Sequence, residues 1–275
     1  MSRSVRVKTS KPSDPRVLRL EVLRSERVSP SFQRVTVGGD GLRHFAPMGY
    51  DQWFRMFLPR AGQADYRLPT RTSALWYAQW LATPSDKRPD CRNYTVRAIR
   101  PEAGELDIDF VLHTPPGEWH VTGVAASWAL AAQPGAPLGL LDQGTMYSPH
   151  ASADGSMIVA DETGLPAVEG ILRTLPRDTG GDAVVEIPDA ADRRDLGEPT
   201  GFTVHWVVRA DHHDPGATPG AATLEYIRGL PIPSPQRYVF AIGESSLVTG
   251  VRRHLVAAHV PKEHIHFSGY WRAGH

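Results

Sequence analysis

The hydrophobic patterning changes character near residue 150, and that change limits the architecture more than any single motif does. Before it, short β-type runs at 17–23, 32–37, 53–58, 92–99, 106–112 and 138–141 follow one another across turn residues, the pattern of an antiparallel sheet. After it, β-branched runs at 157–160, 183–187, 202–208, 238–242 and 264–269 alternate with amphipathic stretches at 166–175, 223–230 and 247–258. That alternation is the signature of an open parallel sheet with helices packed on its faces. The expected fold is therefore two-domain, β followed by α/β: a six-stranded antiparallel β-barrel, then an open parallel-sheet α/β domain. The expected limits are a flexible tail over 1–15, the barrel domain over 16–150 and the α/β domain over 151–275.

Several segments specify their own conformation. Leu106, Ile108, Phe110 and Leu112 share one face of a strand by its period of two, leaving Asp107, Asp109 and His113 on the other. Residues 101–105 join this strand to its predecessor as a hairpin. In 166–175 a first-turn proline precedes a stripe of Ala167, Val168, Ile171, Leu172 and Leu175, which specifies a helix. A short helix is expected over 124–132, stopped by Pro134 and Gly135. The long connection at 61–91 carries an aromatic cluster, Trp76, Tyr77 and Trp80. Connections of that length are functional, disordered or locally helical.

Composition bounds the partners. Thirty basic and thirty acidic residues cancel, so no global charge draws the chain to nucleic acid or to an acidic membrane. No apolar run approaches the ~18 residues of a membrane span, and no apolar segment follows the basic N-terminus. The single cysteine, Cys91, forms no internal disulfide, which fits a reducing compartment. A cytoplasmic monomer with no membrane insertion and no nucleic-acid partner is expected.

Four places can carry chemistry. On one strand, Arg92 and Tyr94 project to the same side, where a cation and an aromatic face suit a phosphate and a planar ring, or equally a pair of cross-strand neighbours. At 117–128 a glycine-rich approach enters a helix whose first N–H groups can receive phosphate oxygens or simply be capped. Asp161-Glu162-Thr163-Gly164 and Gly243-Glu244-Ser245-Ser246 each follow a strand and open a helix, at the strand ends where parallel sheets bind ligands. Neither is a G-x-G-x-x-G fingerprint. The pair His212-His213, in a loop with Asp and Pro, is expected to be solvated, and no tight metal-ligand spacing is present.

Five segments, RNYTVR (92–97), ELDIDFVLH (105–113), DETGLPA (161–167), AIGES (241–245) and GYWRAG (269–274), occur in the order found in the siderophore-interacting protein family. The chain resembles these flavin-dependent ferric-siderophore reductases, relatives of ferredoxin-NADP reductase, from about residue 17 to 272. The resemblance implies FAD held by Arg92 at the pyrophosphate, Tyr94 against the isoalloxazine and Thr95 near its reactive edge. It further implies a strand beside the FAD carrying Asp109, Val111 and His113, and a pyrophosphate turn with Ala125, Ala126 and Trp128. Val124 and Ala126 replace the family's usual Pro and Ser there, so one hydroxyl donor is missing. Asp161, Glu162, Thr163, Gly243, Glu244 and Ser245 match the turns facing NADPH or NADH, and Trp271 matches a position near the flavin. Arg55, Arg97 and Arg272 are candidates for attracting an anionic ferric siderophore, and Arg193, Arg194 and Arg209 tilt the donor towards NADPH. The chain stops at His275, where many relatives continue into a helical tail, so a shorter lid over the flavin is expected. No protein nucleophile, general acid or metal ligand is required by this chemistry, and Cys91 is given no role. Two alternatives stay open: a flavin reductase serving a partner protein, and a non-catalytic siderophore-binding or flavin-sensing module.

Overall fold

Antiparallel pairing begins at β1 (Val17–Ser29), whose inward residues Leu18, Leu20 and Val22 are buried. It continues through β2 (Phe32–Gly38), β3 (Trp53–Leu58), β4 (Asp90–Thr95), β5 (Ala98–Arg100), β6 (Glu105–Val111) and β7 (Pro137–Gly144). In the computed structural model, residues 9–63, 65–112, 123–214 and 216–274 are described. The chain divides into two compact units, one of residues 10–28 and 32–145, the other running from residue 146 onwards together with 29–31.

The first unit holds a seven-stranded sheet in the order β4-β3-β7-β1-β2-β6-β5. Seven strands replace the six expected because the run 92–99 is not continuous. At Val96 and Arg97 the backbone leaves one neighbour for another: the Val96 N–H donates to the Gln52 carbonyl at 2.8 Å and the Arg97 N–H to the Asp107 carbonyl at 3.0 Å. β4 therefore pairs with β3, and β5 pairs with β6. Ser10, placed in the expected tail, instead bridges Thr145 through two backbone hydrogen bonds of 3.0 and 2.9 Å.

Two helices cover this sheet. Helix α1 (Leu75–Ala82) lies within the long connection and sets Trp76 against Phe57 and Leu141 in a small separate cluster. Helix α2 (Val124–Ala131) packs Ala125 and Ala129 into the main core with Val35, Phe54, Ile108, Phe110 and Leu138.

In the second unit five strands lie parallel in the order β10-β9-β8-β11-β12. They are β8 (Ser156–Ala160), β9 (Gly180–Ile187), β10 (Gly201–Val208), β11 (Tyr238–Glu244) and β12 (Ile265–Trp271). Every residue of β8 and β11 is buried, as central parallel strands covered on both faces must be. α3 (Leu165–Thr174) buries the stripe Leu165, Ala167, Val168, Ile171 and Leu172, with Pro166 in its first turn. α4 (Ala221–Gly229) and α5 (Ser245–Ala257) share a second core, in which Ile227, Leu247, Val251 and Leu255 meet Met157, Val159, Val239 and Ala241. The strand order reverses between β8 and β11, and the crevice at such a switch point is where open α/β sheets take ligands.

Candidate functional site

In the first unit an aromatic series is centred on Phe110 of β6. The Tyr94 ring lies 4.5 Å from the Phe110 ring, and Phe110 lies 5.9 Å from Trp128 of α2, so β4 and α2 are joined by one aromatic series. Burial raises the Tyr94 phenol above its usual range, which keeps it a hydrogen-bond donor. Thr95 beside it is buried. Arg92 is exposed, and its only side-chain hydrogen bond among the described residues goes to the neighbouring Cys91 carbonyl at 2.8 Å. No carboxylate neutralises it there.

The start of α2 is equally unspent. Its N-cap, Gly123, has φ 103°, a conformation that side chains rarely adopt, and among the described residues no side chain caps the first turn. Ala125 and Ala126 are buried there and offer only backbone N–H groups. An uncapped helix start and an unneutralised guanidinium, tied to one aromatic series, fit a pyrophosphate and a planar ring, and so fit FAD. His113 and the glycine-rich approach at 117–122 lie outside the described residues.

Asp109 is turned to another use. Its fully buried carboxylate is gripped by Arg34 at 2.7 and 3.0 Å, and Arg97 stands 3.7 Å away. Its neighbour Asp107 is held by Arg100 at 2.6 and 2.8 Å and by the Thr36 hydroxyl at 2.7 Å. The polar face of β6 is thus buried under arginines. Asp109 supports the strand through Arg34, and Arg97, expected at an anionic chelate, is already drawn to Asp109. Val111 is half-buried at the strand end, paired with Phe32.

Arg55 sits in an aromatic box. Its guanidinium lies 4.5 Å from the Trp76 ring and 5.4 Å from the Trp53 ring, and donates to Asn93 Oδ1 at 3.1 Å. Its Nε and the Trp53 Nε1 are shielded donors with no hydrogen-bond partner. The segment 61–91 therefore contributes α1 as one wall around this cation. Cys91 is no activated thiol: burial pushes it up to about 11 despite Arg55 and Arg92 nearby.

At the strand ends of the second unit a carboxylate network draws five strands together. Asp161, following β8, accepts from the Thr163 N–H at 2.9 Å, the Thr163 hydroxyl at 2.5 Å, the Glu244 N–H at 2.6 Å and Trp271 Nε1 at 3.0 Å. Gly243 has φ 126° and a side chain there would meet the Asp161 carboxylate at 2.6 Å, so the glycine serves this contact. Burial, with Glu162 adjoining, pushes Asp161 up to about 7. Glu244 caps α5, accepting from the Ser246 N–H and hydroxyl and the Leu247 N–H, while the Ser245 hydroxyl donates to the Trp271 carbonyl at 2.9 Å.

Arg209, at the end of β10, is committed to carboxylates within the protein. It is buried between Glu162, at 2.8 and 3.0 Å, and Glu186, at 2.7 Å. Glu186 also accepts from the Gly220 and Thr223 N–H groups at the start of α4. Glu162 is correspondingly spent on Arg209. Sequence reading missed Arg34 and Glu186, whose neighbours in the chain carry no sign of a buried partner. His212 Nε2 lies 3.0 Å from Glu225 Oε2 across the loop.

Family models add the deciding observation. The siderophore-interacting FAD-binding domain matches residues 21–146, and the siderophore-interacting protein model matches 153–274. The chain belongs to the siderophore-interacting protein family. Among its solved relatives, a siderophore utilization protein from T. fusca is 30% identical with a TM-score of 0.80, covering 98% of this chain and 97% of that one. The siderophore-interacting protein SipS of Aeromonas hydrophila is 30% identical with a TM-score of 0.74, covering 95% and 93%. The NADPH-dependent ferric-chelate reductase of Escherichia coli is 30% identical over 95% of each chain. The ferric vibriobactin reductase of Vibrio cholerae is 30% identical over 93% of this siderophore-interacting protein and 89% of its own length. A ferredoxin reductase at 16% identity and TM-score 0.66 shares the two-domain fold.

Proposed function

We infer that this siderophore-interacting protein is an FAD-dependent NAD(P)H oxidoreductase that reduces ferric siderophores and so releases Fe(II). The observation that carries the reading is the aromatic series Tyr94, Phe110 and Trp128, which joins the strand bearing unneutralised Arg92 to the helix α2 whose N-cap, Gly123, has no side chain, in a chain 30% identical to an NADPH-dependent ferric-chelate reductase. FAD is assigned to residues 16–150 and the nicotinamide to 151–275, in a cytoplasmic monomer. Val96 and Arg97, bonded to both edge neighbours, support closure of the first sheet into a barrel around the core.

Arg92 would neutralise the pyrophosphate of FAD with help from the α2 amides, Tyr94 would take the ring face, and Thr95 would stand at its edge. Bound FAD supplies the conversion of a two-electron hydride into single electrons for iron. The turns at Asp161–Thr163 and Gly243–Ser245 are held rigid by their own network, which orients their backbone for the nicotinamide. Asp161 and Glu244 act as positioning residues there, since their oxygens are already occupied. Arg55 presents a cation in an aromatic frame that suits an anionic, planar chelate. Lowering the iron charge loosens hard oxygen ligands that suit Fe(III), and release follows.

The test is anaerobic: FAD-loaded protein is mixed with NADPH or NADH, then with ferric catecholate or ferric hydroxamate. Bleaching of the flavin by a nicotinamide, followed by its return faster with a ferric chelate than with buffer, is the expected result. Bleaching without such a return removes the substrate assignment, and a partner protein as electron acceptor takes its place.

A further inference from the structure

In the second unit His212, His213 and Glu225 form a trio whose ligand atoms, one from each side chain, all lie within 4.8 Å of one another. The reductase reading uses none of them. Their spacing in the chain matches no ligand motif, so the fold alone brings them together. The histidines stand in the connection from β10 to α4, just after a 3₁₀ turn over Arg209–Asp211, and Glu225 stands on the exposed side of α4.

Both ends of that connection are anchored on one buried carboxylate. Glu186 accepts from Arg209 at 2.7 Å at one end, and from the Gly220 and Thr223 N–H groups at 2.8 and 3.0 Å at the other. The His212 N–H closes the turn on the Arg209 carbonyl at 3.1 Å. The histidines are therefore set beside α4 by bonds that need no ion.

His212 is largely covered, its side chain 16% exposed, whereas His213 at 72% and Glu225 at 64% reach solvent. His212 Nε2 lies 3.0 Å and His213 Nδ1 3.9 Å from the same oxygen, Glu225 Oε2. Bonds of about 2.0–2.2 Å to one ion at tetrahedral or octahedral angles set ligand atoms roughly 3 Å apart, so small side-chain rotations suffice. On the other side of the His212 ring, Nδ1 faces the Asp214 backbone, with its N–H at 3.3 Å and its carbonyl at 3.4 Å. That backbone serves both tautomers. Its N–H donates to Nδ1 while Nε2–H points at Glu225, and its carbonyl accepts from Nδ1–H once Nε2 turns its lone pair to an ion. A backbone carbonyl behind a ligating imidazole is a common way of fixing the ring. Two imidazoles with one carboxylate suit borderline first-row ions, whereas magnesium and calcium prefer oxygen shells.

We propose that His212 Nε2, His213 Nδ1 and Glu225 Oε2 form a binding site for a divalent first-row transition-metal ion of the Zn(II) kind. Water completes its shell on the exposed side. Occupancy pins the β10–α4 connection to α4 and stabilises the fold by mass action.

The untagged, FAD-loaded full chain is titrated with Zn(II) by calorimetry, as wild type, His213→Ala and Glu225→Gln. Both positions are exposed, so the metal-free thermal midpoints should match. Since losing a partner behind a ligand already costs about 10–100-fold in metal affinity, each variant should weaken the tightest wild-type site tenfold or more. A large excess of Mg(II) should leave that site undisturbed. No binding by the wild type, a variant that binds as the wild type does, or displacement by Mg(II) overturns the proposal and leaves a hydrogen-bonded His–Glu pair. Zn(II) should also raise the thermal midpoint of the wild type more than that of either variant, and equal rises would overturn it. In the wild type, Zn(II) should slow modification of His212 and His213 by diethyl pyrocarbonate, read by peptide mass mapping, but not that of the exposed His44. Unchanged rates at 212 and 213 would overturn it without any variant. None of these readouts involves flavin reduction, so the reductase reading stands or falls separately.

Discussion

Arg92 and Arg209 carry the same side chain to opposite ends. Arg209 is buried and spent on Glu162 and Glu186, whereas Arg92 is exposed and holds only a backbone carbonyl. Arg209→Ala should therefore act on stability, because two buried carboxylates lose their partner; such losses cost about 3–5 kcal/mol, measurable by urea unfolding. Arg92→Ala should leave unfolding unchanged and weaken FAD. A hydrogen bond to a charged group is worth about 1.5–3 kcal/mol, so a fluorescence titration should show roughly a tenfold to hundredfold loss. His266, buried against Phe240, has its pKa lowered by burial to about 4. Its unfolded value is about 6.5, so between the two the unfolded chain binds the extra proton and stability falls as pH drops. His266→Phe should flatten that part of the acid limb by up to about 1.4 kcal/mol per pH unit. An unchanged slope would assign the acid limb to carboxylates. None of these fates could be read from the sequence, since an arginine shows its partner only once distant strands are paired.

At the scale of elements, the periodic segments were legible and the polar ones were not. The stripe from Leu165 to Leu172 and the alternation Leu106, Ile108, Phe110 gave helix α3 and strand β6 because burial follows period. The same alternation set Asp107 and Asp109 on the opposite face but carried no sign of the arginines, Arg100 and Arg34, under which they are buried. The break between β4 and β5 left no glycine or proline to mark it, because it comes from two backbone hydrogen bonds made to different strands. α1 was one of three readings of a long connection, and the packing of Trp76 against Phe57 and Leu141 accompanies the helical one. For α2, the uncapped start argues that an added hydroxyl would find work. Ala126→Ser should tighten FAD by several-fold, in keeping with about 0.5–1.5 kcal/mol for one hydrogen bond, as read by the same titration. Weaker binding would mean that the buried Ala126 site has no room for the oxygen.

For the whole molecule, the change of texture near residue 150 already carried the two-domain architecture, since parallel and antiparallel sheets demand different connections. Charge balance hid what matters electrostatically: equal totals of basic and acidic residues conceal arginines that are buried against carboxylates, such as Arg209, and others, such as Arg92, that hold only a backbone carbonyl. The candidate site was legible as a set of turns and strand ends, but the split between residues that face a ligand and residues that brace them required the folded chain. The central claim is electron transfer from a nicotinamide to a siderophore's iron. It is tested most directly by anaerobic turnover of the FAD-loaded protein with NADPH, a ferric siderophore and a ferrous-specific chromophoric chelator. The account predicts about two ferrous ions trapped per nicotinamide oxidised, since a hydride carries two electrons, with Arg92→Ala slowed until FAD is saturating. Oxidation of the nicotinamide without trapped ferrous ion, or ferrous ion formed equally well without FAD, would contradict it.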